Sequence, residues 1–212
     1  LWIDSGQVAK RGRAMTSLWI ILALLFGGTI GWFALSETPA WIEDVIMGAL
    51  CLLVFVAGID VGTNWHVIRG LIKKGAQVLL VPVFLTIGSL LGASLAVFIL
   101  PIELKEALAV SAGVGWYTLA GPLITQVYGD QLGTIGLLSN MLRELLAFAM
   151  IPVVARSLGF MAAIGPGGAT TMDSTLPVIR RSTDSETAMI AFYNGFALSV
   201  VPPLLIPFFL SL

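Results

Sequence analysis

The chain has 212 residues, of which 58% are hydrophobic and only 11% are charged, whereas a soluble domain carries roughly a quarter charged residues. It therefore lacks the polar surface of a soluble globule and is predicted to be an all-α integral membrane protein, with the lipid bilayer as a partner. The net charge of −1 excludes a basic surface for nucleic acid. One cysteine and one histidine exclude an intrachain disulfide and argue against the usual His-rich metal sites, and no cofactor is expected.

Five apolar runs are each close to the roughly 20 residues that cross the hydrocarbon of a bilayer, and each predicts a transmembrane helix. They are residues 17–35, 45–60, 76–100, 132–155 and 187–212. A polar, cytoplasmic lead of residues 1–16 precedes a single predicted membrane transport domain, residues 17–212. Two further apolar segments, residues 107–128 and 159–178, are interrupted by glycine and proline.

The basic residues favour one topology for the two interrupted segments. If both segments enter the bilayer and return to the side they came from, every basic cluster lies in the cytoplasm, as the positive-inside rule requires. If the first segment crosses fully, Arg156 lies outside. We therefore predict five full spans and two re-entrant hairpins in a multi-pass protein of the cytoplasmic membrane, with the N-terminus inside and the C-terminus outside; full crossing remains the alternative.

The first interrupted segment contains Gly113, Gly115 and the pair Gly121-Pro122. Pro122 lacks an amide donor and disfavours a helical conformation at Gly121, so we expect the helix to break there. A kinked but continuous helix is the alternative, because glycine and proline are common in membrane helices. Two aromatic residues in this segment either lie at the membrane interface or line the hairpin: Trp116 and Tyr117.

The second interrupted segment combines a glycine cluster with a polar run. Gly165, Gly167 and Gly168 surround Pro166, and this composition cannot continue a helix. Irregular backbone at membrane depth survives only inside protein or beside a wet cavity, and such breaks mark the binding sites of transporters. The polar residues that follow are candidate site residues: Thr170, Thr171, Asp173, Ser174 and Thr175.

Four charged residues fall within the apolar segments, where a charge costs at least about 2.5–3.5 kcal/mol and is usually paired or functional. Asn140, Arg143 and Glu144 share one face of the predicted helix 132–155. This face either holds a structural ion pair, or Arg143 binds a substrate carboxylate or restrains Asp173. Asp60 ends the second span and either marks the interface or joins the site.

Asp173 follows the second break directly, and we expect its carboxylate to be partly desolvated. Such a group binds a cation when it is ionised and releases it when it is protonated, which suits a proton-coupled carrier. A simple N-cap of the next helix is the alternative.

Three motifs carry a family resemblance: GVGWYTLAG at 113–121, LREL at 142–145 and GATTMDSTLP at 168–177. Together they resemble the lysine exporter (LysO) family of bacteria and archaea. The resemblance implies export of L-lysine and its analogues across the cytoplasmic membrane, protons as the coupling ion, and Asp173 as an acid needed for transport. Many members carry a further N-terminal membrane region, so we expect a missing segment or a separate subunit, or a homodimer.

These observations lead to the hypothesis of an alternating-access lysine/proton antiporter. A passive channel or pore subunit for small cationic solutes, or a non-transporting membrane subunit, is the alternative. A membrane-embedded enzyme is disfavoured, because no metal-binding motif or Ser–His pair supports one.

Overall fold

The computed structural model describes residues 26, 29, 40–63 and 76–212. Backbone contacts divide the chain into two units, residues 1–47 and 48–212, and every contact discussed below lies within the second. Apart from residues 26 and 29, the first predicted span is outside the described residues. The described part of the chain is helical and contains no β-strand.

Eight α-helices and two short 3₁₀ turns make up the described residues, with turns between them. The helices are α1 (Ala40–Thr63), α2 (Ala76–Ala96), α3 (Leu104–Ser111), α4 (Tyr117–Tyr128), α5 (Asp130–Ser157), α6 (Leu176–Ser182), α7 (Ser185–Leu198) and α8 (Val201–Leu210). The 3₁₀ turns are Ala162–Ile164 and Gly168–Met172.

Helices occupy the second, third and fourth predicted spans as α1, α2 and α5. α7 and α8 together occupy the fifth predicted span, residues 187–212. Only Ser199 and Val200 between them depart from regular helix, and both keep right-handed helical dihedral angles. Pro202 and Pro203 follow directly, and neither has the amide hydrogen that would continue the hydrogen-bond ladder of α7.

The outer faces of the helices are those of a membrane protein. α5 and the α7–α8 pair, Ser185–Leu210, are long and apolar enough to cross a bilayer. α5 exposes Leu145 and Val153, and α2 exposes Phe84 and Leu91. Soluble proteins rarely expose apolar surface on this scale, so these faces fit contact with lipid.

Glycines let α4 and α5 approach closely after the tight turn at Gly129. A methyl group on Gly121 would lie 2.7 Å from Leu137 Cβ, and one on Gly133 would lie 2.9 Å from Thr125 Cα. The expected break at Gly121-Pro122 is therefore wrong: both residues lie inside α4. Pro122 removes one hydrogen bond early in the helix, and the glycine supplies the contact surface with α5.

Asp184 caps the first turn of α7. The backbone N–H of Thr187 donates to Asp184 Oδ1 at 2.7 Å, and this hydrogen bond holds the pKa of the Asp184 carboxyl below its ordinary value. The contribution of this cap to stability is therefore present above the ordinary carboxyl pKa and is lost as the pH falls through the lowered one.

Candidate functional site

The first break lies between α3 and α4, at residues 112–116. Val114 has a φ of 43° and Gly115 a φ of 97°, and Val114 is completely buried. A β-branched residue at positive φ is a strained conformation that persists only where the surroundings enforce it.

Asn140 on α5 holds this break in place. Its Oδ1 accepts a hydrogen bond from Gly115 N at 2.8 Å, and its Nδ2 donates to Val110 O and Gly136 O, each at 2.9 Å. A methyl group on Gly113 would lie 2.6 Å from Asn140 Nδ2. The buried amide thus ties the turn to α5, and Gly113 leaves the space for it.

The second break extends from Ser157 to Leu176, and no α-helix forms between them. Thr170 Oγ1 donates to Gly167 O at 2.7 Å, and Thr171 Oγ1 donates to Gly168 O at 2.8 Å. Both hydroxyls are buried. The hydroxyls of these candidate site residues therefore satisfy backbone carbonyls that the irregular conformation leaves without helical partners. Inside a membrane such groups need a partner within the protein.

Asn194 on α7 also supports the second break. Its Nδ2 donates to Thr171 Oγ1 at 3.2 Å and to Gly168 O at 3.3 Å. At the next residue, a methyl group on Gly195 would lie 2.4 Å from Met172 N. The position of Asn194 against the glycine cluster comes from the tertiary structure.

The two breaks touch each other through their backbones. Ala169 N donates to Val114 O at 2.9 Å. Gly168 has a φ of 59°, and a methyl group there would lie 2.3 Å from Val114 O. Trp116 packs against the small apolar cluster formed by Val114, Ala169 and Leu198. The strained turn of one segment therefore rests on the glycine cluster of the other.

Two acids meet beside the second break. Ser174 Oγ donates a short hydrogen bond to Glu144 on α5 and lies 3.3 Å from Asp173 Oδ1, which also accepts from Ser174 N at 2.6 Å. We call Glu144 and Asp173 the acid pair, and Ser174 is the bridge between them. Glu144, which lies 30 residues from Ser174 in the sequence, thus joins the neighbours Asp173 and Ser174 in one group.

Two expectations about Asp173 are wrong. Its side chain is exposed and is not partly buried by the rest of the described chain. Asp173 does not cap α6 either: the cap position is Thr175, which makes no side-chain capping bond.

Arg143 points towards α2. Its Nη1 donates to Ser89 Oγ at 3.0 Å, and Ser89 Oγ lies 2.8 Å from Ser111 Oγ. Among the described residues, no carboxylate forms an ion pair with Arg143, and the structural ion pair and the restraint of Asp173 stay predictions. Ser89 and Ser111 were missed because single serines in apolar helices give no local signal.

A model of the lysine exporter LysO family matches residues 21–210. The chain belongs to this family. The chain is 36% identical over 163 residues to "Lysine exporter LysO" of Escherichia coli (strain K12), covering 76% of this chain and 53% of that protein. It is 30% identical over 192 residues to "Putative lysine exporter" of Haemophilus influenzae, covering 91% of this chain and 97% of that protein. No solved structure matches.

The chain therefore spans about half the length of the E. coli relative and nearly all of the H. influenzae relative. Membership of the lysine exporter LysO family confirms the resemblance carried by the three motifs. It also implies a protein of the cell membrane, which fits the exposed apolar faces of α2 and α5.

The remaining candidates are Tyr117, Gly165 and Asp60. Tyr117 is half-buried at the start of α4, and Gly165 ends the first 3₁₀ turn. Asp60 belongs to α1, but its side chain is outside the described residues. No group of three or more acidic, His or Cys side chains that could hold a metal ion occurs in the part of the chain that the structure describes.

Proposed function

We propose that this protein is a secondary-active exporter of L-lysine across the cytoplasmic membrane, which exchanges lysine for protons by alternating access. Family membership and the names of both relatives support lysine as the substrate. The observation that carries the mechanism is the acid pair, Glu144 and Asp173, bridged by Ser174.

The acid pair suits exchange of a cation for a proton. Carboxylates at membrane depth are costly unless a positive charge compensates them. An ammonium group of lysine and a proton are alternative partners for the same two carboxylates. A proton that arrives from outside would neutralise one acid, weaken the hold on lysine and so release the amino acid on that side.

Re-entry of both broken segments is part of the proposal, and the positions of their ends support it. At the first segment, Lys105 Nζ lies 5.6 Å from the ring centroid of Tyr128, so the start of α3 and the end of α4 are neighbours. At the second, residues 158–161 and 184–187 line one pocket.

These two pairs of ends lie at opposite ends of α5, whose 28 residues span about 42 Å. The segments would then enter from opposite faces of the membrane and meet where Ala169 bonds Val114. Backbone that is irregular but enclosed at mid-depth is the arrangement that transporters use for their binding sites.

Counterflow in proteoliposomes tests the carrier mechanism against a passive pore. We expect uptake of labelled lysine to saturate, and we expect excess unlabelled lysine inside the vesicles to accelerate it, because an alternating-access site moves one bound substrate per cycle. Uptake that rises linearly with lysine and ignores the internal pool would instead identify a pore. Vesicles without protein correct for leak.

A further inference from the structure

A partly open cavity of about 280 Å³ lies between α2, α3 and α5. Its polar lining comes from Ser89, Ser111, Ser139, Asn140 and Arg143, and the rest is largely aliphatic. Among the described residues that line it, none is acidic and Arg143 alone is charged.

Arg143 has unused hydrogen-bonding capacity at this cavity. A guanidinium group carries five N–H donors, and the structure assigns Arg143 one hydrogen bond, to Ser89 Oγ. Among the other polar side chains of the lining, Asn140 makes three hydrogen bonds, and Ser89 and Ser111 bond to each other, whereas Ser139 is exposed. A half-buried cation without a counter-charge is unfavourable, so the complementary ligand is an anion.

We propose that this cavity is the subsite for the α-carboxylate of the transported amino acid, held by Arg143. This inference rests on the proposed function. The planar guanidinium matches a carboxylate in a bidentate geometry. The aliphatic wall, which includes Ala93, Val110 and Ile135, suits methylene groups.

The position of Arg143 also connects this subsite to the rest of the molecule. Its Nη2 lies 3.0 Å from the point that a methyl group on Gly168 would occupy, so it borders the crossing of the two breaks. Glu144 is the next residue on α5 and belongs to the acid pair. The carboxylate of lysine therefore meets the positive charge of Arg143, and an ammonium group meets the negative charge of Glu144. Because a simple amine has no carboxylate, Arg143 selects amino acids over simple amines.

L-Lysinamide tests the subsite without any mutation, because it keeps both amines and replaces the carboxylate by a neutral amide. In wild-type proteoliposomes we expect it to inhibit labelled lysine uptake about 10- to 100-fold less well than unlabelled lysine, the loss typical of a charge-assisted hydrogen bond. Arg143→Gln should raise the KM for lysine by a similar factor and leave inhibition by lysinamide unchanged.

Arg156→Gln is the matched control, since Arg156 is exposed in the last turn of the same helix and should keep the wild-type KM. Equal inhibition by lysine and lysinamide in the wild type would overturn the subsite and leave lysine transport standing. Absence of any lysine transport by the wild type would overturn the proposed function and the subsite together. Ser89→Ala, which frees a guanidinium donor while keeping the charge, should shift the lysine KM far less than Arg143→Gln.

Discussion

Asp173→Asn should abolish the exchange of lysine for protons while the protein still folds. Asn has nearly the same shape but can neither carry a negative charge nor bind a proton, so the acid pair retains only Glu144. A hydrogen bond to a charged group is worth about 1.5–3 kcal/mol, which corresponds to at least a roughly 10-fold loss of exchange. Because the Asp173 side chain is exposed, we expect little change in stability.

The measurement pairs labelled lysine with a pH-sensitive dye inside proteoliposomes. Asp184→Asn is the matched control, because Asp184 is also exposed and Asn is an equally good helix cap; it should exchange at the wild-type rate. Size-exclusion chromatography in detergent establishes that both variants are folded. Wild-type exchange by Asp173→Asn would remove the acid pair from the mechanism.

Gly168→Ala should prevent the two breaks from meeting. The residue has a φ of 59°, and its added methyl group would lie 2.3 Å from Val114 O, a backbone atom that cannot swing away. The left-handed conformation costs roughly 1–2 kcal/mol and the overlap roughly 1–3 kcal/mol, so we expect a destabilisation of about 2–5 kcal/mol. A thermal unfolding midpoint in mild detergent reports this loss.

Gly92→Ala separates this effect from a general effect of removing glycine. Gly92 lies within α2, and no atom comes within 4 Å of an added methyl group there. Alanine favours the helix by up to about 1 kcal/mol over glycine, so this variant should be as stable as the wild type or slightly more stable. Equal stability of Gly168→Ala would mean that the contact between the breaks does not constrain the fold.

Local periodicity predicted the inner face of α5 correctly. Asn140, Arg143 and Glu144 follow a helical spacing, and each contacts another segment of the chain, with only 3% of the surface of Asn140 exposed. Their partners were not predictable in the same way. Ser89 and Ser174 lie far away in the sequence, and only tertiary structure brings them to α5.

Local rules failed where packing or hydrogen bonding outweighs hydropathy. Gly121-Pro122 has the composition of a break, yet close packing against Leu137 keeps it within α4. Pro202 and Pro203 mark the boundary between α7 and α8, although the two helices together keep the length and hydropathy of one span, since the missing amide hydrogen leaves no trace in a hydropathy profile. The strain at Val114 is likewise invisible in the sequence.

The re-entrant topology is the central claim, and accessibility of single cysteines tests it most directly. Cys51, the only cysteine in the chain, is replaced by serine, and cysteines are introduced separately at Glu103 before α3 and at Gln131 after α4, both exposed positions. In intact cells, a membrane-impermeant maleimide should label both from the outside, because a hairpin returns to the face it entered. Labelling of one position from outside and of the other only after permeabilisation would mean that residues 107–128 cross the membrane, and would contradict the account.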